Sequence, residues 1–240
     1  MLDIVSIYNN YFKDFKINLD NSLKSVGIGN QRVYHHYSKI GIADFGSDNF
    51  RNLTIEKISV IRKSLEMSER VLFLDNDVYL VKNPISYFEE FLGDSEILFQ
   101  DDCNEFVHRG KRYPVLNTGV LYIKKTANTL ALFDPDSIHL KEIGRRENDQ
   151  NILNRRVLDL EINFKVLPKE LFPCGKLWYN GEADDRPYLV HYNWLAGKKA
   201  KIAKMKSYGH WKVNPFYSFL SFVEAKVKYE WERRLKVNKK

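Results

Sequence analysis

Cysteine, proline and long apolar runs are all scarce in this 240-residue chain, and each scarcity excludes something. Two cysteines, Cys103 and Cys174, cannot build a disulfide framework, and their spacing is not that of a metal site. No window approaches the roughly 18 consecutive apolar residues of a membrane span. The opening MLDIVSIYNN has one acid and a brief apolar run, without the basic start and long apolar core of a signal peptide. Together these absences predict a cytoplasmic protein. Repeats, low-complexity tracts and Pro/Gly/Ser linkers are also missing, which leaves one domain plus a tail. The remaining composition, 44% hydrophobic and 29% charged, is enough to bury a core and excludes bulk disorder.

Charge is unevenly spread. From His191 to Lys240 there are 13 Lys and Arg against 3 Glu, or +10, while the rest carries 25 basic and 28 acidic side chains, or −3. A mildly acidic body with a basic end suggests a phosphate-bearing ligand or an anionic membrane as partner, or else a solvated basic helix. Aromatics do not interleave with basic residues as in nucleic-acid modules, so no nucleic-acid partner is expected. NPFYSFLSFVEAKVKYEWERRLKVNKK (214–240) reads as a basic amphipathic helix, able to lie on a membrane or to dock on the body.

Apolar periodicity predicts strands at 3–8, 31–37, 71–74, 96–100, 119–125, 164–168 and 188–194. Helices are expected from the loop after Tyr8 to Ser25, over 53–68 with Thr54 as cap, and over 148–160. The stretches 37–52 and 101–114 read as loops. Alternating strand and helix predicts an α/β domain with a mainly parallel sheet.

One segment carries chemistry. In RVLFLDNDVYLVKNP (70–84) an apolar run ends in Asp75-Asn76-Asp77. A strand covered on both faces reads as a continuous apolar run, and ligands of open α/β sheets sit beyond the carboxyl ends of strands. In extended backbone, residues two apart point the same way. Asp75 and Asp77 could then share a divalent cation, Mn²⁺ or Mg²⁺. They could equally be turn formers. A third reading is the D-x-D-x-[TV] motif of haloacid-dehalogenase-type phosphatases, with Asp75 as nucleophile. Against it, Tyr79 holds the fifth position, and the later acidic pair has only Ala183-Asp184-Asp185 as candidate.

VLFLDNDVYLVKNP resembles the DXD segment of GT-A-fold glycosyltransferases. VLNTGVLYIKKT (115–126), ENDQNILN (147–154) and LVHYNWLAGKKAK (189–201) follow in the order expected of retaining nucleotide-diphospho-sugar transferases. They resemble glycosyltransferase family 77 and, more loosely, family 8; LFPCGKLWYNG (171–181) is similar to that family's Phe-and-Gly segment. The resemblance runs from about Leu53 to Lys201. It implies a GT-A-type, Rossmann-like mixed sheet, mainly parallel and flanked by helices, in a catalytic domain over 1–213 with a helical tail over 214–240. It also implies metal-dependent transfer of a sugar from a nucleotide-diphosphate sugar, with UDP as nucleotide, to a glycan or lipid-linked acceptor with retention of configuration.

Residue by residue, the resemblance implies that Asp75, Asp77 and His191 ligate the cation. Tyr8 and Asn9 would hold base and ribose. Lys57, Asn76 and a lysine of the 198–201 loop, foremost Lys198, would meet the diphosphate, the alternatives being Lys199 and Lys201. Asp149 and Gln150 would face the anomeric carbon, and Asp101, Asp102, Asn117 and Gly119 the donor sugar. Local readings also exist: Asp149 fits a helix cap, and the lysines fit solvated positions.

Overall fold

Strand and helix alternate at the start because the apolar period switches from two to nearly four. The computed structural model describes residues 1–29, 31–41, 47–137, 148–216, 223 and 227. β1 (Leu2–Tyr8) is followed by a 3₁₀ turn and α1 (Lys13–Ser25), which turns Phe15, Leu19 and Leu23 inward. β2 (Arg32–Tyr37) then pairs with β1 in parallel. α2 (Asp48–Met67) starts earlier than the 53–68 expected. Ser47 is its cap, accepting the Phe50 N–H at 3.1 Å, whereas Thr54 lies inside the helix and donates to the Arg51 carbonyl. A serine just before an acidic first turn is the stronger start signal.

β3 (Arg70–Leu74) is the buried stem before Asp75. Short β4 (Val78–Leu80) and α3 (Ile85–Leu92) follow, neither expected from the periodicity. β5 (Ile97–His108) and β6 (Lys111–Lys124) are much longer than the predicted strands. The stretch 101–114 is therefore not a loop but a paired hairpin, turned at Arg109 (φ 48°) and Gly110 (φ 76°). Positive φ at both turn residues matches the right-handed twist of the strands. Polar residues and a register shift between Asp101 and Glu105 hide this hairpin from the alternation rule. After α4 (Ala127–Leu132) come α5 (Asp149–Asp159), capped by Asn148, then β7 (Phe164–Val166) and α6 (Gly175–Tyr179). β8 (Leu189–His191) is shorter than read, and α7 (Lys198–Ser207) occupies the segment expected to be a lysine loop.

The main sheet has the order β2-β1-β3-β6-β5-β7. Only β6 runs against the others, so the sheet is mixed but mainly parallel, as expected. β4 and β8 form a separate antiparallel pair with Val78 opposite His191. β3 reads as uninterrupted apolar sequence because both its faces are covered. Val71 and Phe73 pack with α2, α4 and α5 residues, and Leu72 and Leu74 with α1, α3 and the small sheet. Among the described residues no helix is long and apolar enough to cross a membrane. The tail helix read over 214–240 lies almost wholly outside the described residues.

Candidate active site

Asp75 leaves β3 with its N–H donating to the Gly119 carbonyl at 2.7 Å, and Val78 N–H closes a tight turn back onto the Asp75 carbonyl at 3.1 Å. The two aspartates thus converge through a turn, not through extended backbone. Pairing of β4 with β8 then brings His191 to them. Its Nε2 lies 3.2 Å from Asp77 Oδ1 and 3.9 Å from Asp75 Oδ2. One ligand atom from each of the three residues falls within 4.8 Å of the others.

The chemistry of this donor set is settled by a residue that sequence reasoning missed. Gln100 is fully buried, and its Nε2 donates to the carbonyls of Phe172 (3.0 Å) and Pro173 (3.1 Å). Its Oε1 must therefore face His191 Nδ1, 2.8 Å away, and can only accept a hydrogen bond. In the neutral ring Nδ1 then bears the hydrogen, and the Nε2 lone pair points toward the aspartates. Two carboxylates and an imidazole so oriented can hold a divalent cation such as Mn²⁺.

Electrostatics around the pair are opposed. Burial pushes the Asp75 carboxyl above the ordinary range, against the pull of Lys57. Burial acts on Asp77 too, but the Lys201 ammonium, 2.5 Å away, and His191 outweigh it and hold that carboxyl well below the usual range. Lys57 is not an exposed helix lysine. It is buried, 2.5 Å from Asp149 Oδ2 and 3.6 Å from Asp75 Oδ1, and donates to the Thr118 carbonyl at 3.1 Å. Burial works against its charge, but Asp149 and Asp75 raise its pKa.

Asp149 also accepts from Thr118 Oγ1 at 2.7 Å, so its carboxylate is a fixed, buried charge joining α5 to β6. Among the described residues the Gln150 side chain makes only long contacts, accepting from Thr118 N at 3.4 Å and donating to Asp102 at 3.5 Å. Asp102 accepts from Asn117 at 2.6 Å and from Asn193 at 3.2 Å, while Asn117 Oδ1 accepts the Gly119 N–H at 2.8 Å. Gly119 is required for space: a Cβ there would come within 2.3 Å of His191 Cε1 and 2.7 Å of Asp75 Oδ2. It faces the Asp75–Asp77–His191 cluster more closely than its expected sugar role implied.

Several expected nucleotide contacts are engaged elsewhere. Asn9 is buried, donates to Ile40 (3.1 Å) and Gly41 (2.8 Å), and accepts from Phe12 (3.0 Å), so both amide hydrogens and one Oδ1 lone pair are already engaged within the protein. Lys198 lies in the first turn of α7, 2.8 Å from Asp14, with its ammonium on the Tyr11 carbonyl. Lys201, one helical turn on, is the lysine that reaches the cluster. Tyr8 stands at the end of β1 with its ring edge against Tyr37, 5.5 Å between centroids. Asn76 donates to the Ile7 carbonyl, and its buried Oδ1 has no partner among the described residues. Asp101 accepts the Cys103 N–H at 2.7 Å. Asp184 belongs to a local turn on Arg186 and does not join the aspartates as a phosphatase acidic pair would.

Comparison with known proteins agrees with this geometry. The chain is 26% identical over 189 residues to the β-arabinofuranosyltransferase RAY1 of Arabidopsis thaliana, covering 70% of this chain and 35% of that one. It is 24% identical over 193 residues to a UDP-galactose:fucoside α-3-galactosyltransferase of Dictyostelium discoideum, covering 71% and 29%. A UDP-D-xylose:L-fucose α-1,3-D-xylosyltransferase of Arabidopsis thaliana is 25% identical over 193 residues, covering 71% and 50%. The chain thus spans half or less of the length of these curated relatives. Among solved structures, a glycosyltransferase involved in glycosylation of the major capsid of PBCV-1 superposes with TM-score 0.62 at 16% identity, covering 86% of this chain and 98% of that one. The galactosyltransferase LgtC superposes with TM-score 0.54 at 14% identity, covering 89% and 97%. These likenesses establish the GT-A fold. With residues 21–205 matched by the corresponding family model, the chain belongs to the nucleotide-diphospho-sugar transferase family.

Proposed function

We propose that the protein moves a sugar from a UDP-sugar to a saccharide hydroxyl, with retention and with Mn²⁺ as cofactor. The observation that carries this reading is the convergence of Asp75, Asp77 and His191 at the carboxyl end of β3. They would hold the cation. When bound, it would offset the negative charge that develops on the departing diphosphate. Lys201 supplies a second positive charge beside Asp77 and replaces Lys198 as the phosphate-facing lysine. The unpartnered Asn76 Oδ1 suits a ribose or diphosphate contact, and Tyr8 suits the base. Gln150, loosely held and next to Asp102, is the group we assign to the sugar. Asp149 keeps Lys57 charged and positions Thr118 instead.

The names of the relatives support galactose, xylose or arabinose as donor sugar and fucose among acceptors. We take 1–213 as the catalytic unit. The basic surplus beyond His191 supports a lipid-linked acceptor and contact with an anionic surface, and the scarcity of cysteine supports a cytoplasmic setting.

The test is a thermal-shift panel of UDP-sugars with and without Mn²⁺. At least one should stabilise the protein only when the metal is present, and Asp77→Ala should abolish that shift. A shift that ignores either the metal or Asp77 sinks the reading.

A further inference from the structure

Between the β5–β6 hairpin and α6 lies a cleft of about 690 Å³. That volume is typical of small-ligand sites, about 300–1,000 Å³. Its wall carries three acidic side chains (Asp101, Glu105, Glu182) and three basic ones (Arg112, Lys169, Lys176), with Asn104, Asn180 and Tyr113 among them. The charges balance, so the lining suits a neutral, polyhydroxylated ligand better than a polyanion.

Trp194 adjoins this cleft through Lys176 of its wall. It stands three residues after His191, and its ring lies 5.4 Å from the Lys176 ammonium, which itself donates to the Cys103 carbonyl at 3.0 Å in the cleft wall. Asn193, next in sequence to Trp194, donates to the Asp102 carboxylate at 3.2 Å, and Gln150 approaches it at 3.5 Å. Yet the indole is 47% exposed, and its backbone is left-handed at φ 60°, a conformation that bulky residues avoid. The neighbouring Asn193 explains how that backbone is held. Its Oδ1 accepts the Gly175 N–H at 2.6 Å, and its carbonyl accepts from Tyr179 Oη at 3.0 Å. Gly175 has no Cβ, which would otherwise stand 2.2 Å from that carbonyl. Strain retained around an exposed large ring is a mark of function rather than of packing.

We propose that this cleft binds the acceptor saccharide, with the Trp194 indole as the surface on which its sugar ring rests beside the donor site. A pyranose offers a C–H face and a rim of hydroxyls, and the site offers an exposed aromatic plane and a rim of carboxylates and amides. The proposal rests on the glycosyl-transfer reading and assigns the place of the second substrate.

The experiment is saturation-transfer difference NMR on the full chain with three probes: methyl α-L-fucopyranoside, methyl β-D-galactopyranoside and methyl β-D-glucopyranoside. At least one should receive saturation on its ring protons. That signal should fall at least fivefold in Trp194→Ala, persist in Trp194→Phe, and fall in Asn180→Ala at the far wall. Retention of the Mn²⁺-dependent UDP thermal shift in each variant shows that the fold and donor half are intact. The proposal is overturned if none of the glycosides is saturated by the wild type, or if both Trp194→Ala and Asn180→Ala leave the signal unchanged. Failure of the transfer reading looks different: the Mn²⁺-dependent UDP shift is then absent from the wild type itself, whatever the glycosides do.

Discussion

Gln100 decides which nitrogen of His191 is left for a cation, and it does so from 91 positions away in sequence. Its leucine variant would keep the volume but release Nδ1, letting the ring rotate or change tautomer. Removing such an outer partner typically lowers metal affinity by about 10- to 100-fold. Gln100→Leu should therefore weaken Mn²⁺ binding by that factor, read by electron paramagnetic resonance of free Mn²⁺, with an unchanged far-ultraviolet circular dichroism spectrum. Equal affinity in the two proteins would remove Gln100 from the site. Lys57 makes a second case. Its ammonium neutralises Asp149 and Asp75 inside the protein, so Lys57→Met strands buried carboxylates. Breaking a buried pair from one side costs about 3–5 kcal/mol. Urea unfolding should show that loss, and Lys57→Met combined with Asp149→Asn should recover part of it. Asp75, Asp77 and His191 were legible in the sequence because their residue types sit at strand ends in recognisable company. Gln100 was not legible, since nothing local distinguishes a glutamine in EILFQ from a strand's last polar residue. The partner of Lys57 was equally hidden: its helix reads the same whether that face meets solvent or Asp149.

At the scale of elements, the aspartates meet His191 because a turn after β3 reverses into β4, and β4 accepts β8 as its only partner among the described residues. The strand stem, α1, β2 and α5 were readable from apolar period and capping signals. Three-residue strands carry no period and bulged polar strands imitate loops, so periodicity misses β4, overextends β8 and cuts the long hairpin short. The lysine segment was read as a loop since Gly197 precedes it, but Gly197 (φ 83°) is the entry to α7, and this helix turns Lys198 to Asp14 and Lys201 to Asp77. Where β6 crosses the end of β3, backbone and ligands nearly touch, and Gly119 has no room for a methyl group. Gly119→Ala should displace His191 or Asp75 and reduce Mn²⁺ affinity at least tenfold in the same resonance assay, although alanine suits a strand better than glycine. A variant that binds Mn²⁺ normally would mean that β6 can retreat.

Across the whole molecule, the stretch that follows α7 returns to the first helix. Asn18 of α1 donates to the His210 carbonyl at 3.0 Å and accepts the Lys212 N–H at 2.6 Å, and Phe15 packs against Trp211. His210 stacks on Tyr79 at 4.2 Å and is hydrogen-bonded through Nδ1 to Tyr192 Oη at 2.8 Å. Burial raises the Tyr192 pKa, so the phenol keeps its hydrogen. Burial, aided by nearby Lys212, lowers the His210 pKa from 6.5 to about 4. The sign follows from proton counting. Between about pH 6.5 and pH 4 the unfolded chain binds a proton at this position and the folded chain does not, so stability rises with pH there. Below that window both states are protonated and the contribution is gone. Other groups titrate over the same range, and a His210→Gln variant cancels them. The stability difference between wild type and His210→Gln, from urea titrations at several pH values, should be largest above pH 6.5 and shrink as pH falls toward 4, with a slope of at most one proton. Parallel curves would show that His210 titrates alike folded and unfolded. In that case the seam between α1, β4 and residues 210–212 would be wetter than its ring stacking indicates.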